Sequence, residues 1–141
     1  SLVKDKKVML IDDSIVRGTT SVKIVKMMYE AGAKEVHMRV ACPPIIHPDY
    51  YGIDMPLQKA LLAANHNLEQ MRDFMGADSL GFMSIDGVYR ALGHPEGRDN
   101  ENPQYTDHYF TGDYPTPLAD LDSKIANNQL SFLQSDSGDE K

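Results

Sequence analysis

The run KVMLID, residues 7–12, constrains this chain more than any other stretch. It has the length of a strand and is apolar almost throughout, without alternation. That pattern predicts a strand buried on both faces, as in a parallel sheet covered by helices. Residues 19–30, TTSVKIVKMMYE, then change period. Val22, Val25, Met28 and Tyr29 fall on one face of a helix, with Lys23, Lys26 and Glu30 on the other. Thr19, Thr20 or Ser21 is expected to cap this helix and Gly32 to stop it. EVHMRVAC (35–42) predicts a second strand. Strand, helix and strand in that order predict a right-handed βαβ unit, and so an α/β fold with a parallel sheet.

Four prolines and a glycine in PPIIHPDYYGIDMP (43–56) predict a loop crossing the surface. Two short helices are expected over 57–64 and 67–75, a third strand over SLGFMS (79–84), and a short helix over IDGVYRAL (85–92). Beyond Gly93 the chain turns polar. YFTGDYPTPL (109–118) reads as an aromatic patch that docks on the body, and LQSDSGDEK as a disordered end. No internal repeat is present.

Charge is unevenly placed. Residues 1–92 hold 11 acidic and 11 basic side chains, whereas residues 93–141 hold 10 and 3, which accounts for the net charge of −7. A neutral body with an acidic tail offers no basic footprint for nucleic acid. No apolar run approaches the roughly 18 residues of a membrane helix, and the N-terminus lacks a signal-peptide layout. The single cysteine, Cys42, excludes an internal disulfide and suits a reducing, cytoplasmic setting.

The chemistry concentrates in VMLIDDSIVRGTT, residues 8–20. In open parallel sheets, ligands bind beyond the carboxyl ends of the strands, and Asp12 and Asp13 stand at such an end. Adjacent carboxylates need hydroxyl donors or a hard cation such as Mg²⁺. The helix N-terminus that follows supplies N–H groups and a dipole for an anion. Gly18 allows close backbone approach, and Ser14, Thr19 and Thr20 add hydroxyls. Carboxylates for sugar hydroxyls or metal, beside a nest for phosphate, suit a ribose 5-phosphate. A DD pair alone is as well explained by a turn, and GTT alone by a helix cap. DDS also resembles the acidic pocket of receiver domains, which hold Mg²⁺ but lack a following VRGTT. The complete string favours the functional reading.

That string resembles the phosphoribosyl-pyrophosphate (PRPP) loop of type I phosphoribosyltransferases. With its SIVR insertion it is similar to the loop of the glutamine PRPP amidotransferase family. AGAKEVHMRVACPP, HPDYYGIDMP, GADSLGFMSIDGVYRAL and FTGDYPT resemble later segments of that family, in order, over roughly residues 1–118. The resemblance implies a partial type I phosphoribosyltransferase fold. Residues 1–93 would be the C-terminal part of that domain, and 94–141 an acidic C-terminal extension, partly disordered.

Such enzymes release ammonia from glutamine in a separate domain and add it to C1 of PRPP with Mg²⁺, making 5-phosphoribosylamine for purine synthesis. The resemblance implies that Asp12 and Asp13 bind the ribose 2- and 3-hydroxyls and the metal. It places Ser14, Val16, Arg17, Gly18, Thr19 and Thr20 along the loop that cradles the 5-phosphate, with Ile15 only positional. It further implies PRPP, glutamine-derived ammonia and feedback purine nucleotides as partners, no nucleic acid or membrane, and a homo-oligomer. The chain holds neither the glutaminase domain with its cysteine nucleophile nor the pyrophosphate and flexible loops. It is therefore expected to be an inactive fragment with apolar surface left uncovered. One branch of the family carries an iron–sulfur cluster, with cysteines where this chain has Asp49, Thr106 and Tyr109. One cysteine cannot supply a Cys₄ cluster, so no iron–sulfur cluster is expected.

Other residues read more plainly. Cys42 is expected to be a small apolar filler, His37 to be structural, and His47 to make a loop hydrogen bond. His66, His94 and His108 show no ligand spacing for zinc. Tyr51, Gly52, Asp54 and Met55 divide evenly between binding and loop architecture. Two other functions share the loop: a salvage phosphoribosyltransferase for a purine base, which usually lacks SIVR and YGIDMP, and a PRPP-sensing regulator that binds nucleic acid, which the absence of a basic patch opposes.

Overall fold

The structure, a computed structural model, describes residues 2–118. The expected disorder of LQSDSGDEK lies outside the described residues. Three strands, β1 (Lys7–Asp12), β2 (Glu35–Val40) and β3 (Ser79–Phe82), form one sheet in the order β1-β2-β3. Both pairings are parallel, with Lys7 opposite Glu35, Asp12 opposite Val40 and His37 opposite Ser79. The sheet is parallel, as the apolar runs predict, and each strand after β1 ends two residues earlier than expected.

Helix α1 (Thr19–Glu30) joins β1 to β2. Its cap differs from the expectation: the N-cap is Gly18, at φ 76°, and no side chain caps the helix. The hydroxyls of Thr19 and Thr20 are therefore left for the cleft described below. The stop falls at Gly32 as expected. Ala33 N–H bonds Met28 C=O at 3.0 Å and Gly32 N–H bonds Tyr29 C=O at 2.9 Å, the paired bonds of a Schellman turn, for which Gly32 supplies φ 92°.

The predicted helix over 57–64 is broken. A 3₁₀ turn (Gln58–Ala60) and a one-turn α2 (Leu62–Asn65) are separated by Leu61, whose extended ψ of 123° interrupts the helix. Leu61 is wholly buried, so tertiary packing overrides local preference there. Helix α3 (Leu68–Met75) starts at a capping box, Asn67 Oδ1 accepting from Gln70 N–H and Gln70 Oε1 accepting from Asn67 N–H. Ser84 Oγ caps α4 (Ile85–Ala91), and a last turn, α5 (His108–Thr111), lies in the aromatic patch.

Val36, Met38 and Val40 of the central strand point to one face and join Val25 of α1, Met71 and Met75 of α3, and Leu80 of β3 in the core. Each side chain buried there contributes about 1.5–3 kcal/mol. The reverse face differs from the sequence expectation for β1. Met9 is 61% and Ile11 76% exposed, so β1 is covered on one face only. Its apolar run is continuous, yet β1 is an edge of the described sheet.

The 43–56 loop is not simply superficial. Pro43, Ile45, Pro48 and Asp49 are buried, and Ile46 and His47 donate their N–H groups to the Tyr109 carbonyl. The patch around residues 109–118 docks on this loop, as expected: Tyr114 stacks on His108 and donates its hydroxyl to the Pro48 carbonyl. Arg98, 7% exposed, anchors the same region through Asp107 at 2.6 Å and Asp113 at 2.7 Å.

Candidate functional site

At the carboxyl end of β1 the chain leaves the sheet at Asp12. Its carbonyl still accepts from Ala41 N–H at 2.9 Å, which fixes the strand end, and its Oδ1 accepts from Asp13 N–H at 3.0 Å. Asp12 is half-buried and Asp13 exposed, with Ser14 Oγ 3.4 Å from Asp13 Oδ1. Both carboxylates lie near Cys42. Burial first, and then the negative charge of Asp13 and Asp12, push its thiol up to about 11. Cys42 is half-buried and donates to the Pro43 carbonyl, so it acts as filler and not as a nucleophile.

Past Asp13 the loop is pinned from below. Ile15 is 2% exposed and belongs to the core. The Val16 carbonyl accepts from Leu62 N–H at 2.8 Å, and Gly18 lies so close to α2 and α3 that a Cβ there would meet Leu62 Cδ2 at 2.6 Å. With the apolar residues held inward, the backbone N–H groups of residues 14–20 find no acceptor among the described residues. Donors left unpaired at the N-terminus of a twelve-residue helix suit an anion.

These parts enclose a cleft of about 460 Å³. Asp12, Asp13, Ser14, Val16, Arg17, Gly18, Thr19 and Thr20 all line it, so the eight residues singled out in the sequence share one cavity. Asp54 and Pro56, from the 43–56 loop, line it too. The YGIDMP segment thus divides. Tyr51 is architectural, its ring edge-on to His108 and its hydroxyl bonded to Thr116, whereas Asp54 faces the cleft. The sequence signal for Asp54 was its place in YGIDMP, where binding and loop architecture stood even.

The loop that carries Asp54 is shaped by Asp49. Oδ2 accepts from the N–H groups of Tyr51 and Ile53, and Oδ1 from Tyr109 Oη and His108 Nε2, both at 3.0 Å. Burial would raise this carboxyl, but the four donors outweigh it and hold it at about 2. Asp49 and Tyr109 are thus joined directly. His108 Nδ1 is buried without a partner among the described residues.

The other histidines take structural places. His37 bridges Ser79 and Glu35, and His66 bonds the Leu62 carbonyl. His47 packs its ring on Gly112, where a Cβ would lie 2.8 Å from Nε2. The loop hydrogen bond expected of His47 is made by its backbone N–H, to the Tyr109 carbonyl. Among the described residues no group of three or more histidine, cysteine or acidic side chains could hold a metal. Asp12 and Asp13 line the same cleft and would offer Mg²⁺ the one or two carboxylates it usually takes from a protein.

No family model matches the chain. An amidophosphoribosyltransferase from Rhizobium etli is 56% identical over 136 residues, 96% of this chain and 27% of that protein. The Bacillus subtilis amidophosphoribosyltransferase is 45% identical over 117 residues, covering 83% of this chain and 24% of that protein. The chain belongs to the amidophosphoribosyltransferase family. It spans about a quarter of the length of these relatives. The solved structure of the B. subtilis glutamine PRPP amidotransferase, complexed with ADP and GMP, superimposes with a TM-score of 0.74 at 45% identity, over 83% of this chain and 25% of that one. A second structure, of the allosteric regulatory enzyme of purine biosynthesis, gives 0.69 at 42% identity over 82% of this chain and 24% of that one. About a quarter of each of these amidotransferases thus shares its fold with the described residues. None of their helices is long and apolar enough to cross a membrane.

Proposed function

We propose that the protein carrying this chain is an amidophosphoribosyltransferase that makes 5-phosphoribosylamine from PRPP and glutamine-derived ammonia, and that this segment holds the ribose 5-phosphate end of PRPP. One observation carries the reading: a single cleft combines two strand-end carboxylates with seven successive backbone positions, 14–20, whose N–H groups have no acceptor among the described residues. The relatives support it.

Ammonia forms a C–N bond at C1 as the bond from C1 to pyrophosphate breaks, and a proton leaves the new ammonium. The transition state resembles an oxocarbenium ion, so catalysis is mostly orientation of the sugar. Asp12 and Asp13 accept from the ribose 2- and 3-hydroxyls. The N–H groups of residues 14–20, with the hydroxyls of Ser14, Thr19 and Thr20, hold the 5-phosphate, and Arg17 at the rim meets its charge. Mg²⁺ held at Asp12 and Asp13 would supply charge neutralisation for the leaving pyrophosphate. Feedback purine nucleotides, a homo-oligomeric state and a cytoplasmic setting belong to the same proposal, as does the division at residues 93/94 into domain and acidic extension.

The test is pyrophosphate release from PRPP by the intact protein with glutamine or ammonium as donor. Release with either donor, and none with hypoxanthine, is the expected result. Release only with a purine base would instead identify a salvage transferase.

A further inference from the structure

The phosphate loop does not hold its own shape. Among residues 14–18 only Ile15 enters the core, and Gly18 sits at φ 76°. The contacts that bend the rest come from a segment more than forty positions away. Leu62 N–H donates to the Val16 carbonyl at 2.8 Å, and Leu62 Cδ2 fills the place where a Cβ on Gly18 would stand, 2.6 Å away. Phe74 Cε1 closes the other side at 3.1 Å. One side chain and its own backbone therefore fix the loop at two points, two residues apart. If the Val16 carbonyl turned outward, it would present oxygen to an anion in place of N–H.

We propose that Leu62 is a positioning residue for the substrate phosphate. It keeps the Val16 carbonyl turned inward and Gly18 pressed toward α2, so that the N–H groups of residues 14–20 converge on one point. Leu62 is 6% exposed and lies beneath the cleft, not in its lining, so it acts only through the loop. This rests on the reading of the cleft as a PRPP site. Displacing anchored groups by about 1 Å can cost up to roughly a hundredfold in rate or affinity. Since Leu62 bears on the bound phosphate and not on C1, the loss belongs in KM.

The experiment compares Leu62→Ala, Leu62→Met and Met75→Ala in the intact protein. Met75, 2% exposed, is an equally buried residue at the far end of α3 and serves as the control for lost core packing. Leu62→Ala is expected to raise KM for PRPP roughly ten- to a hundredfold with kcat within about twofold. Leu62→Met should recover most of the loss, and Met75→Ala should lower Tm while leaving KM in place. Unchanged KM in Leu62→Ala, or an equal rise in Met75→Ala, overturns the proposal. Amide exchange without substrate separates it from the PRPP reading. Leu62→Ala should speed exchange at residue 62 and at Val22, whose N–H bonds the Gly18 carbonyl. Faster exchange in Leu62→Ala, together with a wild-type protein that shows no PRPP dependence, would reject the substrate assignment and leave the clamp standing. Unaltered exchange at both amides rejects the clamp itself.

Discussion

Asp49 and His108, fifty-nine positions apart, meet through a 3.0 Å hydrogen bond with each side chain only 1% exposed. Nε2–H is the donor, because its partner is a carboxylate. This contact ties the proline-rich loop to the aromatic patch and holds the turn from which Asp54 reaches the cleft.

The tie is sensitive to acid. The folded Asp49 carboxyl titrates at about 2, below its ordinary 3.8. A depressed carboxylate stabilises the fold fully above its unfolded value and loses that contribution as pH falls through the folded one. Thermal melts between pH 5 and pH 2 should therefore show Tm falling below about pH 4. Asp49→Asn should lower Tm at pH 7 and flatten that slope. An unchanged slope in the variant would assign the acid transition to other groups.

Gly18→Ala places a side chain where φ is 76° and Leu62 already stands. The strained backbone alone costs about 1–3 kcal/mol. Denaturant melts should show that loss, and calorimetry should show weaker PRPP binding. Wild-type affinity in this variant would mean that the loop is loose enough to readjust.

Asp13 is exposed and makes only local hydrogen bonds, so Asp13→Asn should leave stability within about 0.5 kcal/mol. If its charge serves the ribose or metal, kcat/KM for PRPP in the intact protein falls roughly a hundredfold or more. A variant with normal turnover would remove Asp13 from the site.

Cys42 should alkylate slowly with iodoacetamide at pH 8, because its thiol is pushed up to about 11 by burial and then by Asp13 and Asp12. Removing one of those charges in Asp13→Asn lowers the thiol value and should speed labelling. Rapid labelling of the wild type would show a thiol more open than the structure has it.

The open face of β1 gives a prediction for the chain studied alone. Met9 and Ile11 present apolar surface beside an edge of the described sheet, the arrangement that drives association. Light scattering should find concentration-dependent oligomers that Ile11→Lys reduces. Monomers at all concentrations would show that this face is tolerated in water.

Much of this was written locally. The three strands, α1 and α3 follow from apolar period, Gly32 and the Asn67–Gln70 box, signals that act within a few residues. The eight residues of the loop are likewise contiguous, so one motif contains them. What depended on distant partners was not legible. Nothing near Leu61 announces that burial will interrupt its helix, and nothing near Gly18 announces that it, and not a threonine, will cap α1.

The sequence by itself determined a parallel α/β unit with a strand-end acid pair and a glycine-bearing loop after it, because continuous apolar runs, glycines and motif are properties of neighbouring residues. Only the tertiary structure decided that Asp54 lines the same cleft as the loop, that Asp49, His108 and Tyr109 form one polar knot, and that Leu62 meets the loop at Val16 and Gly18. Those relationships join residues 34 to 60 positions apart. Their energies come from burial and paired hydrogen bonds that exist only once the chain has closed on itself.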